Sequence, residues 1–122
     1  MVYFTRMFII LIAIIFSLEL YSTTLNVMVT RVIDGDTIYV LDSNNQREKV
    51  RFWGIDAPEL TQRDGAQSGR FLATLIGGQS VTIKILETDR YGRLIAKVYD
   101  EDFTYLNEEM IRLGLAWVYE KY

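Results

Sequence analysis

Three short apolar segments joined by turn residues constrain the fold of this chain more than any other feature. Residues 26–33, 37–42 and 49–55 are rich in apolar side chains, and the first of them alternates apolar with polar residues. The sequence "DGD" separates the first two segments, and the polar loop "SNNQRE" separates the second from the third. This pattern predicts three strands that pair in chain order through short turns.

Two later segments place apolar side chains at helical spacing. Residues 66–78 predict one helix, which Gly77 is suited to end. Residues 104–114 predict a second helix, with Thr104 as its N-terminal cap and Gly114 at its end. The side chains expected to face the core from this second helix are Leu106, Met110, Ile111 and Leu113.

A fourth strand over residues 80–86 and a fifth over residues 93–100 complete the predicted elements. The predicted order is three strands, a helix, two strands and a second helix. This is the order of a small five-stranded Greek-key barrel of the OB type, a fold that is mainly β with helices (α+β). The helix between the third and fourth strands favours a barrel over a β-sandwich. We expect one domain over residues 23–122, because 122 residues suffice for only one and no linker interrupts this range.

Residues 1–22 form a separate unit. Arg6 places a positive charge before Met7–Leu18, a run that is apolar apart from Ser17. The run is shorter than the roughly 20 residues of a membrane-spanning helix, and its order of charged, apolar and polar residues is typical of a secretory signal. Since no pair of small residues marks a cleavage site, an uncleaved membrane anchor is the alternative. Both interpretations predict a secreted or extracytoplasmic protein, with membrane contact only through this segment. A buried helix of the fold would need a polar face that the segment lacks.

The chain contains no histidine and no cysteine. These absences exclude a Ser-His-Asp relay, an imidazole base, a cysteine nucleophile and zinc held by histidine or thiolate. Acid–base chemistry must use Asp, Glu, Tyr, Lys or metal-bound water, and a metal site must use oxygen ligands, which suit Ca²⁺, Mg²⁺ or Mn²⁺. The net charge is −3 with or without residues 1–22, so contact with nucleic acid requires a local basic cluster.

Carboxylates follow two of the predicted strands. Asp34 and Asp36 bracket a glycine at the first turn, where a tight hairpin alone would explain them. In "RFWGIDAPEL", Asp56 and Glu59 flank a proline that stiffens their relative placement, although local turn or cap roles are open to both. We expect Asp36 and Asp56 to share a hard cation with backbone carbonyls and water, while Glu59 holds a water near that ion.

Arginines lie close to the same predicted strand ends. Arg51 precedes Asp56 in the third strand, and "DRYGRL" places Arg90, Tyr91 and Arg93 around a glycine turn before the fifth. A cation and two guanidinium groups suit a phosphodiester, because arginine binds phosphate oxygens in bidentate fashion and stays charged. Taken singly, each arginine is equally compatible with a solvated position or an ion pair to the carboxylates.

Four motifs together identify a family. "VIDGDT", "RFWGIDAPE", "DRYGRLIA" and "LNEEMIRLGLAWVY", in this order and at these separations, closely resemble the staphylococcal nuclease (thermonuclease) family. The resemblance extends from about residue 27 to the C-terminus. Any one of the motifs alone would be a weak signal, whereas the combination is specific.

The resemblance implies a role for each matching residue. Asp36 and Asp56 correspond to carboxylate ligands of Ca²⁺, with the backbone carbonyl of Ala57 as a third protein ligand. Glu59 corresponds to the general base or water-positioning residue. The residues implied to bind phosphate and stabilise the transition state are Arg51 and Arg93. Arg90 and Tyr91 are implied to lie beside the phosphate of the nucleotide. Tyr119 or Tyr122 is implied to supply an aromatic ring to the pocket for the nucleotide's base.

The family resemblance also implies an activity and an architecture. Members are OB-fold phosphodiesterases that cut DNA and RNA with little sequence preference and leave 3′-phosphates, so we expect a monomeric Ca²⁺-dependent endonuclease. Members usually continue past the position of Tyr122 into a third, C-terminal helix, which we expect to be absent because this sequence ends there. We therefore expect part of the barrel to be uncovered and apolar surface to be exposed.

Two other functions fit parts of the pattern. A non-catalytic OB-type module would bind nucleic acid or a protein partner, and a structural Ca²⁺-binding protein would use the carboxylates alone. The required residue type at all five key positions favours the nuclease, and so does the acidic charge balance, since a binding module would be expected to have a basic groove. The structural Ca²⁺ site does not explain the paired arginines.

Overall fold

The computed structural model describes residues 23–120, which form seven strands and two helices. In chain order these are β1 (Thr23–Asp34), β2 (Thr37–Leu41), β3 (Arg47–Phe52), β4 (Ile55–Asp56), α1 (Gly65–Ile76), β5 (Ser80–Thr88), β6 (Leu94–Tyr99), α2 (Leu106–Arg112) and β7 (Trp117–Val118).

Five of the strands close into a barrel with the neighbour order β1-β2-β3-β6-β5. β1, β2 and β3 pair antiparallel in chain order, as the apolar segments and turns predict. β3 then pairs parallel with β6, β6 pairs antiparallel with β5, and β5 returns to β1. This closed barrel with two helices confirms the predicted OB-type α+β fold.

Alternation along the strands separates the barrel interior from its outer face. In β2, Ile38 and Val40 are fully buried in the core, whereas Tyr39, which lies between them in the chain, is partly exposed. Val50 of β3 is also fully buried. From α1, Leu72 and Ile76 join this core at the predicted helical spacing. Burial of these apolar side chains is the main favourable contribution to the closed barrel.

The second helix is shorter than predicted and begins later. It spans Leu106–Arg112 instead of residues 104–114, and Tyr105, not Thr104, is the N-terminal boundary residue. Thr104 instead ends a tight turn in which its backbone N–H donates 2.9 Å to Oδ1 of Asp100. The prediction for Leu113 is also wrong, because it follows the helix and is 39% exposed.

The predicted third strand is interrupted at Gly54, whose φ of +77° turns the chain in a way that favours glycine. β3 ends at Phe52, and the two residues of β4 belong to a second, two-stranded sheet. In it Ile55 pairs with Val118 and Asp56 with Trp117. The sequence does not predict β7, and this pairing fixes the backbone on which Asp56 lies.

Two predictions fall outside the described residues. The signal or anchor over residues 1–22 and the aromatic role of Tyr122 belong to parts of the chain that the structure does not describe. Between residues 23 and 120, no helix is both long and apolar enough to cross a membrane. Apolar surface is exposed around β7, where Trp117 is 51% and Val118 62% exposed.

Candidate active site

A cavity of about 300 Å³ opens where the β1–β2 turn, the end of β3, the segment after β4 and the start of β6 meet. It brings together residues that lie up to 85 positions apart in the chain. The lining residues are Asp34, Asp36, Thr37, Arg51, Asp56, Ala57, Glu59, Arg93 and Tyr119. All six predicted catalytic and metal-binding residues are in this set.

The two aspartates of the first turn have different surroundings. Asp34 closes the turn, because its Oδ1 accepts a 3.0 Å hydrogen bond from the backbone N–H of Asp36. Asp36 is only 4% exposed. Its Oδ1 accepts from the Thr37 hydroxyl at 2.7 Å, and its Oδ2 accepts from the backbone N–H of Ala57 at 2.7 Å. These bonds fix the Asp36 carboxylate at the floor of the cavity.

Arg51 lies beside the carboxylates of Asp36 and Asp56 and is 8% exposed. Its Nη1 donates to the carbonyls of Phe52 at 2.9 Å and Ile55 at 2.8 Å, which holds the turn between β3 and β4. Its Nη2 lies 3.4 Å from Oδ2 of Asp36 and 3.2 Å from Oδ1 of Asp56. Arg51 therefore forms the ion pairs that the sequence left open as an alternative, and it also supports the backbone of the site.

Negative charge exceeds positive charge along the cavity wall, where four carboxylates face two guanidinium groups. Burial, together with the neighbouring carboxyl of Asp36, raises the pKa of Asp34 to about 7. Burial also raises the pKa of Asp56, and the charge of Arg51 only partly opposes this shift. A cation in the cavity would relieve both effects.

Arg93 is held at the rim by a five-residue turn. Oδ1 of Asp89 accepts the backbone N–H groups of Tyr91 and Arg93 at 3.0 and 2.9 Å, and Oδ2 accepts Nε of Arg93 at 2.7 Å. Gly92, with φ of +80°, allows the chain to close this turn. Within residues 23–120, neither Nη of Arg93 forms a hydrogen bond or ion pair, and Arg93 lines the cavity.

Three of the predicted nucleotide-binding residues, Arg90, Tyr91 and Tyr119, lie in the part of the chain that the structure describes. Tyr91 is 71% exposed. Its hydroxyl accepts from Nη2 of Arg90 at 2.9 Å, and its ring centre is 5.7 Å from the guanidinium carbon of Arg93. Neither Arg90 nor Tyr91 lines the cavity itself. Tyr119 does line it, and its backbone N–H donates 2.8 Å to the carbonyl of Gly54.

The donor set of the cavity fits a hard cation. Within residues 23–120, no group of three or more acidic side chains is arranged to hold a metal ion. The predicted set is smaller, since it consists of the carboxylates of Asp36 and Asp56 and the carbonyl of Ala57. All three offer oxygen, as Ca²⁺ prefers, and water or substrate oxygens would complete the coordination.

The sequence reasoning missed two residues that organise the site. Asp89 orients Arg93, and Thr37 donates to the Asp36 carboxylate. A signal for Asp89 was present, because an aspartate followed by glycine and arginine three and four residues later is typical of a turn closed by the aspartate side chain. No comparable signal marks Thr37, which reads as an ordinary strand residue.

Known proteins resemble this chain over most of its length. A family model described as "Staphylococcal nuclease homologue" matches residues 49–122. An "Uncharacterized endonuclease" of Escherichia coli O157:H7 is 41% identical over 117 residues, covering 96% of this chain and 76% of that protein. A "Micrococcal nuclease" of Shigella flexneri is 40% identical over 102 residues, covering 77% of this chain and 58% of that protein.

A third relative shows the same pattern. An "Uncharacterized endonuclease" of Haemophilus influenzae is 38% identical over 94 residues, covering 77% of this chain and 52% of that protein. The chain thus spans between half and three quarters of the length of these relatives. The family match extends over more than half of the chain. This chain therefore belongs to the staphylococcal nuclease family and is a nuclease, an enzyme of the hydrolase class.

Proposed function

We propose that this nuclease is a Ca²⁺-dependent phosphodiesterase that hydrolyses DNA, RNA or both with little sequence specificity and leaves 3′-phosphate products. The observation that supports this proposal is the single cavity that collects Asp36, Asp56, Ala57, Glu59 and two arginines from separate parts of the chain. Residues of these types, around a space large enough for a phosphate group, match the needs of in-line phosphodiester hydrolysis.

In the proposed mechanism, the carboxylates of Asp36 and Asp56 and the carbonyl of Ala57 would hold Ca²⁺. When bound, the ion would supply positive charge to an oxygen of the scissile phosphate. The Thr37 hydroxyl and the Ala57 N–H restrict the Asp36 carboxylate, so little reorganisation is needed at this ligand.

Arg93 would bind the scissile phosphate through its two Nη groups, with Nε anchored on Asp89. Arg51 would act from the floor, where its Nη2 already lies between two carboxylates. Both guanidinium groups would stabilise the additional negative charge of the five-coordinate transition state.

Glu59 would accept a proton from a water molecule and direct its oxygen at phosphorus. The bond from phosphorus to the 5′ oxygen would break, that oxygen would take a proton from solvent, and the 3′-phosphate would remain on the upstream fragment. Glu59 suits this role because it lines the same cavity as the phosphate-binding arginines.

We also propose that the nuclease works outside the cytoplasm as a monomer. The location is supported by the sequence of residues 1–22, with Arg6 ahead of a short apolar run. The monomer is what the family resemblance implies. A membrane contact would arise only if this segment were retained. Fractionation of cells that express the full chain would test this location, and recovery in the cytoplasm alone would contradict it.

The enzymatic proposal is tested by the release of acid-soluble nucleotides from denatured DNA and from RNA by the full chain, with Ca²⁺ and with a chelator. We expect release that requires Ca²⁺, products with 3′-phosphate ends, and loss of at least a hundredfold in rate for Glu59→Gln. Calorimetric titration with Ca²⁺ supplies a second readout, in which Asp36→Asn and Asp56→Asn should weaken binding. Release that is unaffected by the chelator would contradict the Ca²⁺ assignment.

A further inference from the structure

The outer face of β1, β2 and β3 carries three cations and one aromatic ring, immediately beside the candidate active site. We propose that this basic face, defined as Arg31, Tyr39, Arg47 and Lys49, binds nucleotides of a single-stranded substrate that flank the scissile phosphate. The inference rests on the proposed function, since it names the form of substrate and the surface that holds its flanking part.

Strand register places the basic face next to the cavity. Thr37 of β2 pairs with Arg51 of β3, and both residues line the cavity. The next outward-facing pair along these strands is Tyr39 with Lys49. Because alternate residues of a strand are about 7 Å apart, Lys49 lies about one nucleotide-sized step beyond Arg51 on the same side of the sheet.

The basic face is centred on Tyr39. The guanidinium carbon of Arg47 lies 3.8 Å from the centre of the Tyr39 ring, and Nζ of Lys49 lies 5.8 Å from it. On the other neighbouring strand, Arg31 of β1 is the direct partner of Tyr39. Cross-strand partners project to the same side of a sheet, so Arg31 lies on the same face as Tyr39 and adds a third positive charge to it.

These three cations are not neutralised within the described chain. Arg51, Arg93 and Arg112 each form an ion pair with a carboxylate. In residues 23–120, no carboxylate lies within ion-pair distance of Arg31, Arg47 or Lys49. A protein with a net charge of −3 therefore presents a local concentration of positive charge at one side of its active site.

Positive charges beside an aromatic ring favour single-stranded nucleic acid as the partner of the basic face. Phosphates along a strand are bound by cations, and unstacked bases lie on aromatic rings or on the flat guanidinium group of arginine. The stacked pair of Arg47 and Tyr39 offers such a flat surface with a positive charge attached. A duplex keeps its bases stacked inside and could use only the charges, and an acidic peptide likewise has no base to place on the ring.

The experiment measures binding of a fluorescently labelled 12-nucleotide single strand to the full chain by anisotropy, in the presence of a chelator so that turnover is suppressed. We expect Arg47→Ala/Lys49→Ala to weaken binding about tenfold or more. The slope of log affinity against log salt should fall by about 1.4, since each phosphate contact on a single strand contributes about 0.7.

A matched double variant controls for the loss of charge. Arg70 is exposed on α1, and Lys84 lies on β5, which adjoins neither β2 nor β3 in the barrel. Arg70→Ala/Lys84→Ala should change affinity less than twofold. Equal effects of the two double variants would overturn the proposal, provided that circular dichroism shows both to be folded.

The aromatic part of the proposal has its own test. Tyr39→Phe keeps the ring and should bind the 12-mer within twofold of the unsubstituted protein, whereas Tyr39→Ala should bind at least fivefold more weakly. If a 12-base-pair duplex or polyglutamate bound as tightly as the single strand and lost the same affinity in Arg47→Ala/Lys49→Ala, the face would be a general polyanion site and the proposal would be wrong.

Binding and cleavage can fail separately. If Arg47→Ala/Lys49→Ala weakens binding but no Ca²⁺-dependent cleavage occurs, the proposed catalytic mechanism is wrong and the proposed binding surface is supported. If cleavage occurs and Arg47→Ala/Lys49→Ala does not change binding, the proposed binding surface is wrong and the catalytic mechanism is unaffected.

Discussion

Nε of Arg93 donates a 2.7 Å hydrogen bond to Oδ2 of Asp89, four residues earlier in the chain. This bond occupies Nε of a residue that lines the cavity and does not involve either of its Nη groups. Asp89 is therefore expected to position Arg93 for phosphate without itself touching the substrate.

Asp89→Asn tests this positioning role. Asparagine keeps an oxygen for the two backbone N–H groups but replaces the Arg93 acceptor with an amide donor. We expect kcat on single-stranded DNA to fall roughly ten- to a hundredfold, because misplacement of a catalytic group by about 1 Å can have this effect. Initial rates over a range of substrate concentrations measure the change. Asp102→Asn, the same substitution at an exposed loop, is the control, and equal rates for the two variants would count against the role of Asp89.

The stability of the Asp89 turn should depend on pH in a defined direction. Burial alone would raise the pKa of Asp89, but hydrogen bonds from Arg93 and Tyr91 and the charge of Arg93 outweigh it and bring the pKa below its ordinary value of 3.8. A lowered pKa in the folded state means that the carboxylate stabilises the fold above about pH 4 and loses this contribution as the pH falls through the folded-state pKa.

Urea unfolding at pH 7, pH 4 and pH 3 checks this direction. The unsubstituted protein should be more stable than Asp89→Asn at pH 7, and the difference should shrink at pH 3. If the stability difference between the unsubstituted protein and Asp89→Asn grew as the pH fell, the carboxylate of Asp89 would not stabilise the fold in the direction stated.

Substitution of the two site arginines should have different consequences. Arg93→Ala should abolish cleavage while changing the free energy of unfolding by no more than about 1 kcal/mol, because its ion pair is partly exposed. Arg51→Ala should abolish cleavage and also cost about 3 kcal/mol, since it leaves Asp36 and two backbone carbonyls without their buried partner.

Urea denaturation and initial rates on the same preparations separate these effects. Equal urea midpoints for the two variants would contradict the structural role of Arg51. Cleavage that survives Arg93→Ala would contradict its place in the proposed mechanism.

Asn107 should be a determinant of stability although it lies outside the cavity. It is 1% exposed on α2, its Nδ2 donates to the carbonyls of Trp53 and Ala96, and its Oδ1 accepts from the N–H of Val98. Asn107→Ala removes the acceptor of the Val98 N–H and one donor to each of the two carbonyls, of which that of Ala96 keeps the N–H of Trp53. It should lower the free energy of unfolding by about 2–3 kcal/mol.

Asn107→Asp provides an internal comparison. Aspartate retains the acceptor for Val98 but lacks the donor for the two carbonyls, so it should also destabilise the protein. Glu108→Ala, at the exposed neighbouring position, is the control and should be nearly neutral. Unfolding by urea measures all three, and a neutral Asn107→Ala would contradict the bridging role.

The amino-acid sequence alone was sufficient to predict the barrel. Strand alternation, the "DGD" turn and the helical spacing of Leu72 and Ile76 are local patterns, and each identifies its element without reference to the rest of the chain. The errors occurred where local signals compete. Thr104 is a good helix cap by type, but the carboxylate of Asp100 engages its backbone in a turn, and Leu113 falls after the helix that was expected to bury it.

For the candidate site, the sequence by itself determined which chemistry was available, because the lack of histidine and cysteine leaves oxygen ligands, carboxylates and guanidinium groups. The tertiary structure alone decided how these groups meet. Closure of the barrel places Asp36 beside Ala57, 21 residues away, and brings Arg51 within ion-pair distance of Asp36 and Asp56. It also aligns Arg31, Tyr39 and Lys49 across three strands. Such contacts depend on register and strand order, which arise only when the whole core is buried.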